Sequence, residues 1–266
     1  TRWVEEEFLS PAFRRSTAPV SLRTLSVNGL WPIRIAGETH FVLTGIQVPT
    51  FPETRTSVSV LSPSNGVLVD STDARLTAPA TTVHVVDAVN ADVNADGRED
   101  ILLIDSGTDT LPFPGGVARL FIQQPDGRLR DETQTRLPEG VRYHLSGDAR
   151  DFDGDGDLDL LLCASSNSTN SLSSALLLND GSGVFTESVA GTFPTQMESR
   201  ELVCQQAQVV DADGDGDPDV IASLRGGPVE QIPNDNRDRV LINNGAGRFT
   251  MMPVDAMPPR VLTPQM

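Results

Sequence analysis

Three short stretches of the chain concentrate side chains that could do chemistry. They are Asp92-Val-Asn-Ala-Asp-Gly-Arg-Glu-Asp100, Asp151-Phe-Asp-Gly-Asp-Gly-Asp-Leu-Asp159 and Asp211-Ala-Asp-Gly-Asp-Gly-Asp-Pro-Asp219. These three nine-residue windows hold 14 of the 37 acidic residues in the protein. Carboxylates this close repel one another strongly unless something positive sits among them, so merely solvated acidic turns are a poor account of them. A hard divalent cation takes six to eight oxygens at about 2.3–2.6 Å, and one flexible loop can supply most of them.

The spacing says which oxygens. Alternating positions 1, 3 and 5 bring side-chain oxygens inward, a glycine at position 6 turns the chain, and position 7 offers its main-chain carbonyl. In the second stretch the expected ligands are Asp151, Asp153 and Asp155, then the carbonyl of Asp157, with Asp159 completing the shell. The third uses Asp211, Asp213, Asp215, Asp217 and Asp219 in the same way. The first uses Asp92, Asn94, Asp96, the carbonyl of Arg98, and Asp100, and is expected to be the weakest because Asn94 and Arg98 lower its negative charge.

The expectation is therefore three Ca²⁺ sites. An EF-hand needs a bidentate Glu at position 12 and flanking helices, whereas position 12 is Leu103, Leu162 or Ala222 inside an apolar run. Magnesium seldom takes an all-protein carboxylate cage, and zinc would want Cys or His.

Strands must position these loops. An apolar run follows each: Ile101 to Ile104, Leu160 to Cys163, and Val220 to Ala222. The loops start 59 and then 60 residues apart, a period that marks a repeat architecture. A second hairpin follows in each unit, turning at Pro125-Asp-Gly-Arg128, Asn179-Asp-Gly-Ser-Gly183 and Asn243-Asn-Gly-Ala-Gly247, where Asp-Gly and Asn-Gly supply positive φ. Four strands per repeat, with no helical periodicity between them, describe the blades of an all-β propeller. An earlier blade runs from Trp31 to Asp70, but its first connection, Ala36-Gly-Glu-Thr39, has one carboxylate and cannot build the same site. About four antiparallel blades are expected, near 29–80, 81–140, 141–200 and 201–253, with loops between first and second strands in three of them. Residues 1–28 read as an N-terminal extension or ring-closing segment, and 254–266 as a Pro-rich tail.

The second part of each unit, Leu-x-Asn-[Asn/Asp]-Gly-x-Gly-x-Phe at Leu177 to Phe185 and Leu241 to Phe249, completes a pattern. Together with the acidic loops it resembles the FG-GAP and VCBS repeats of integrin-α-like β-propellers, closely over about 80–252 and loosely over 30–80. The resemblance implies calcium loops joining the first two strands of a blade, and an extracytoplasmic interaction module, whether secreted, periplasmic or on the cell surface. Such propellers commonly have seven blades. With about four, this chain is expected to be a segment, or a subunit completed by partners in a larger assembly.

Composition narrows the partners. A net charge of −17 disfavours nucleic acid and anionic membrane surfaces, and no apolar run reaches the length of a membrane span. The chain lacks a charged-then-apolar leader and does not begin with Met, so a mature product or an excised piece is expected. Cys163 and Cys204 would lie on neighbouring blades, away from the acidic loops, as a disulfide or two free thiols; an oxidising compartment favours the bridge. His40, His84 and His144 are the only histidines, and the last two fall near the starts of equivalent strands, which favours structural roles. No nucleophile elbow or phosphate-cradling loop is present. A binding module for protein or glycan, not an enzyme, is therefore expected. The alternatives are a lectin or a polysaccharide lyase or hydrolase on the same scaffold, although exposed-aromatic candidates are few: Trp3, Trp31 and Tyr143 beside ten Phe.

Overall fold

The computed structural model of the 266-residue chain describes residues 27–45, 55–108, 113–165, 173–198, 202–226 and 237–253. The expected tail, 254–266, and residues 1–26 of the expected extension, 1–28, lie outside them, while Val27 and Asn28 belong to the first strand of the first blade.

Among the described residues, four antiparallel four-stranded sheets follow one another. The first blade is Val27–Ile35, Glu38–Gly45, Ser59–Ser64 and Val67–Asp70. The second is Val85–Ala91, Asp100–Asp105, Arg119–Gln123 and Leu129–Asp131, and the third His144–Arg150, Asp159–Ala164, Ala175–Asn179 and Phe185–Glu187. The fourth is Leu202–Val210, Asp219–Gly226, Arg237–Asn243 and Phe249–Met251. In every blade the strands pair in sequence order, the simple up-and-down meander of a propeller blade. The first strands of successive blades pack on one another. Each carries a register shift near its start, at Val27/Gly29, Val85/Asp87, His144/Ser146 and Cys204/Gln206.

Burial explains the apolar runs. Three core clusters lie between adjacent blades. Successive residues of a strand point to opposite faces, so Ile101 and Leu103 enter the cluster shared with the first blade, while Leu102 and Ile104 enter the one shared with the third. Leu160 and Leu161 divide in the same way between the second and fourth blades. A strand buried on both faces has no polar side to show, which is why these runs read as continuous rather than alternating. The fourth blade differs. Val220, Ala222 and Leu224 join the core behind them, but Ile221 is 37% exposed where Leu102 and Leu161 are 2% and 3%.

Short helices were not foreseen from the sequence. Single turns occupy Thr72–Arg75, Thr133–Arg136 and Thr195–Glu198. Four residues are too few to show a helical period. The first two are locked by one device, in which Asp70 Oδ1 accepts from the Thr72 N–H and hydroxyl, and Asp131 Oδ1 from those of Thr133.

Candidate metal centre

Each acidic stretch connects the first strand of its blade to the second, so all three lie at the same end of their sheets. Their backbone is held by their own carboxylates. Asp151 Oδ1 accepts from the Gly154 N–H at 2.8 Å and Oδ2 from that of Gly156 at 3.0 Å. Asp153 and Asp155 accept from the N–H two residues on, at 3.3 and 3.0 Å. Asp211, Asp213 and Asp215 repeat the scheme with Gly214, Asp215 and Asp217. Asp92 accepts from Asp96 and Gly97 at 3.0 and 2.7 Å.

The same carboxylates also lie close to one another. One carboxylate oxygen from each of Asp151, Asp153 and Asp159 lies within 4.8 Å of the others, and the same holds for Asp211, Asp213 and Asp215. That donor set, all oxygen and all anionic, fits a hard divalent cation. Burial, then the neighbouring Asp155, raises the Asp153 carboxyl above its ordinary range. Desolvation and then neighbouring aspartates do the same to Asp217. Both carboxyls are easier to protonate because burial and like-charged neighbours disfavour the ionised form, and a bound cation would offset that repulsion.

The ninth position is both anchor and ligand candidate. Asp159, fully buried, accepts from Phe152 N–H through Oδ2 and from Asn179 N–H through Oδ1, at 3.0 and 2.9 Å. Asp100 clasps Val93 and Gln123 in the same way, and Asp219 clasps Ala212 and Asn243. Burial pushes the Asp100 carboxyl up to about 7 and Asp159 to about 6, against backbone hydrogen bonds that pull them down.

The residue at the other end of that clasp was read from sequence only as part of a hairpin. The Asn179 amide donates from Nδ2 to the Leu158 carbonyl in its own loop and to the Val93 carbonyl in the loop of the preceding blade, at 3.0 and 2.8 Å. Asn243 bridges Pro218 and Phe152 identically, at 3.3 and 2.8 Å. Gln123, one methylene longer, spans Glu99 and Arg34. The signal was present in the sequence as an amide residue at the end of the third strand in the second, third and fourth blades.

At the seventh position the side chain has a place of its own. A Cβ on Gly181 would stand 2.6 Å from Asp157 Oδ2, and one on Gly245 would stand 2.5 Å from Asp217 Oδ2. Those turn glycines are needed twice, for positive φ (80° and 72°) and for the space the carboxylate takes.

The FG-GAP-like repeat family matches the chain over residues 92–162 and again over 151–222. The chain carries FG-GAP repeats. As matched, each FG-GAP repeat opens on one acidic loop and runs through the next loop and the strand after it, so the two overlap over 151–162. Its boundaries therefore cut across blades, from the loop of one to the second strand of the next. No curated protein matches the chain.

The other singled-out residues of the FG-GAP chain are accounted for by packing. Cys163 and Cys204, both buried, form a disulfide between the third and fourth blades. His144 is buried at the start of its strand and donates from Nδ1 to the Asp105 carbonyl at 2.9 Å. His84 Nδ1 and the Ser106 hydroxyl are 3.2 Å apart, and His40 Nδ1 is bonded to the Ser62 hydroxyl at 2.8 Å.

Proposed function

We propose that this chain is a calcium-binding, extracytoplasmic β-propeller module that works by binding a protein or glycan, or as a structural subunit of a larger assembly, and not by catalysis. The convergence of Asp151, Asp153 and Asp159 at loop positions 1, 3 and 9, and of Asp211, Asp213 and Asp215 at positions 1, 3 and 5, is the observation that carries the metal part of the reading. Asp155, Asp157, Asp217 and Asp219 complete the two ligand sets. When bound, calcium supplies positive charge and ties the two ends of a loop together; it makes no bonds to a substrate. The chain's own part is to hold the oxygens ready through the backbone bonds of Asp151 and Asp211 and the clasp of the ninth-position aspartate.

Calcium rather than magnesium follows from the number of anionic protein oxygens offered by one flexible loop. At a Kd of about 10⁻⁵–10⁻⁴ M and about 1 mM calcium, each filled site adds on the order of 1.5–3 kcal/mol. A buried disulfide favours an oxidising compartment outside the cytoplasm. The FG-GAP repeats and the loop-bearing end of the sheets support a binding role.

Thermal unfolding with 1 mM calcium and then with excess chelator tests the reading. A reversible fall in Tm on chelation is expected. An unchanged Tm, with no calcium found by elemental analysis, defeats the metal assignment. A glycan array read beside protein pull-down separates the two partner classes.

A further inference from the structure

The three loops share one phase but not one chemistry. Position 3 is Asn94 where the others have Asp153 and Asp213, and position 7 is Arg98 where they have Asp157 and Asp217. Four carboxylates against one guanidinium leave the window 92–100 at −3, while five carboxylates put each of the others at −5. Among the described residues, three converging carboxylates occur in the second and third loops, and no such group occurs in the first.

What the first loop has instead is a cation of its own. The Arg98 guanidinium is ion-paired through Nη2 with Asp96 Oδ2, the carboxylate at position 5. Its Nε donates to the Gln123 carbonyl at 3.0 Å, and the Arg98 backbone N–H to Asp96 Oδ1 at 3.0 Å. Gln123 is already fixed: its N–H donates to Asp100 and its amide to the Glu99 carbonyl. The arginine thus ties position 5 of the loop to the strand end that position 9 clasps, and so joins the same two ends that a metal ion would join. Both side chains of the pair are largely covered, at 31% and 23% exposure, so the pair is less screened than an open surface bridge. A metal ion placed here would meet fewer anionic oxygens and would have to displace or face a fixed positive charge.

We propose that Arg98 is the resident counter-ion of loop 92–100, so that this loop is folded without metal and the chain takes two divalent cations rather than three. The number of ions rests on the calcium reading of the other two loops; the role of Arg98 does not. The second blade then stands between a first blade with a two-residue turn at Ala36-Gly37 and two blades whose loops depend on metal. Part of the repeat array keeps its loops in order when calcium is withdrawn.

Two measurements on the full chain test this. Calcium bound per chain, by equilibrium dialysis after chelator stripping, should be two for the wild type and three for Arg98→Asp, which restores the acid found in the other loops. Three in the wild type, or two in both proteins, overturns the proposal. Amide hydrogen exchange in excess chelator gives an answer that does not depend on calcium. Arg98→Gln should exchange about tenfold faster at Asp96, Gly97 and Arg98 or its replacement, with the third and fourth blades unchanged. Unaltered exchange there overturns the counter-ion role. No calcium bound by either protein would defeat the calcium reading and the ion count alone, and the exchange result would then decide the role of Arg98.

Discussion

The Asn179 side chain stands between two blades, with Nδ2 2.8 Å from the Val93 carbonyl of the second and 3.0 Å from the Leu158 carbonyl of its own. Both acceptors belong to acidic loops. The order of one loop is therefore tied to the blade that follows it, through an amide that touches neither set of proposed ligands. Asn179→Ala leaves two carbonyls without this donor and should destabilise the chain by about 2–3 kcal/mol in urea unfolding. Asn179→Asp should cost at least as much, since a carboxylate would face carbonyl oxygens. A loss under 0.5 kcal/mol for both would mean that the bridge is ornamental.

Position 3 and position 9 aspartates should separate on mutation. Asp153 serves its own loop backbone through one 3.3 Å bond, so Asp153→Asn should weaken calcium binding about tenfold or more and leave stability in chelator nearly unchanged. Asp159 is fully buried and clasps two backbone N–H groups, so Asp159→Ala should cost about 2–4 kcal/mol with calcium absent. Calorimetric titration and urea unfolding in chelator, run on both variants, read the two effects.

Two glycines of the third unit, both at positive φ, should not tolerate alanine equally. Gly216 has φ of 97° and nothing within 4 Å of an added Cβ, so Gly216→Ala should carry backbone strain alone, about 1–2 kcal/mol. Gly245→Ala adds a collision with Asp217 Oδ2 and should both destabilise further and lower calcium affinity at the third loop. Equal effects from the two substitutions would argue against a packed position for the Asp217 carboxylate.

The disulfide closes a segment with its cysteines 41 residues apart. Cys163→Ala with Cys204→Ala should lower stability by about 4 kcal/mol through the freed unfolded chain, offset or increased by the repacking of two buried sites. The loss should appear as reduced cooperativity between the third and fourth blades in hydrogen exchange, with the first blade unaffected.

Acid should loosen the molecule through His144. Burial holds this imidazole down to about 4, against an ordinary value of 6.5, while its bond to the Asp105 carbonyl pulls the other way. The folded value lies below the unfolded one, so the folded state carries fewer protons between the two. Stability from this group is intact above pH about 6.5 and is lost as pH falls toward about 4, reaching about 3 kcal/mol at the bottom of that window. Urea midpoints at pH 7 and pH 5, compared between wild type and His144→Gln, isolate the contribution from that of the carboxylates.

Much of this was legible in the linear chain. The acidic windows, their spacing and the Asn-Gly and Asp-Gly turns announced a repeated four-stranded unit, because turn chemistry and strand alternation are local properties. Those same residues placed every loop between the first and second strands. The helical turns after three of the outer strands were not legible, being too short for periodicity. The Cys163–Cys204 bridge was favoured from sequence over two free thiols, and the two facing blades bring it about.

The division between the two kinds of information is sharpest at the loops. The sequence by itself determined which residues bear carboxylates and at what interval, since nine consecutive residues need no distant neighbour to define them. Only the tertiary structure decided what each carboxylate faces. It brought Asp151, Asp153 and Asp159 to a common point, gave Asp96 to Arg98, and turned Asn179 toward the blade before it. The first two outcomes depend on how each loop closes upon itself between its two strands, and the last on the packing of blades from different repeats.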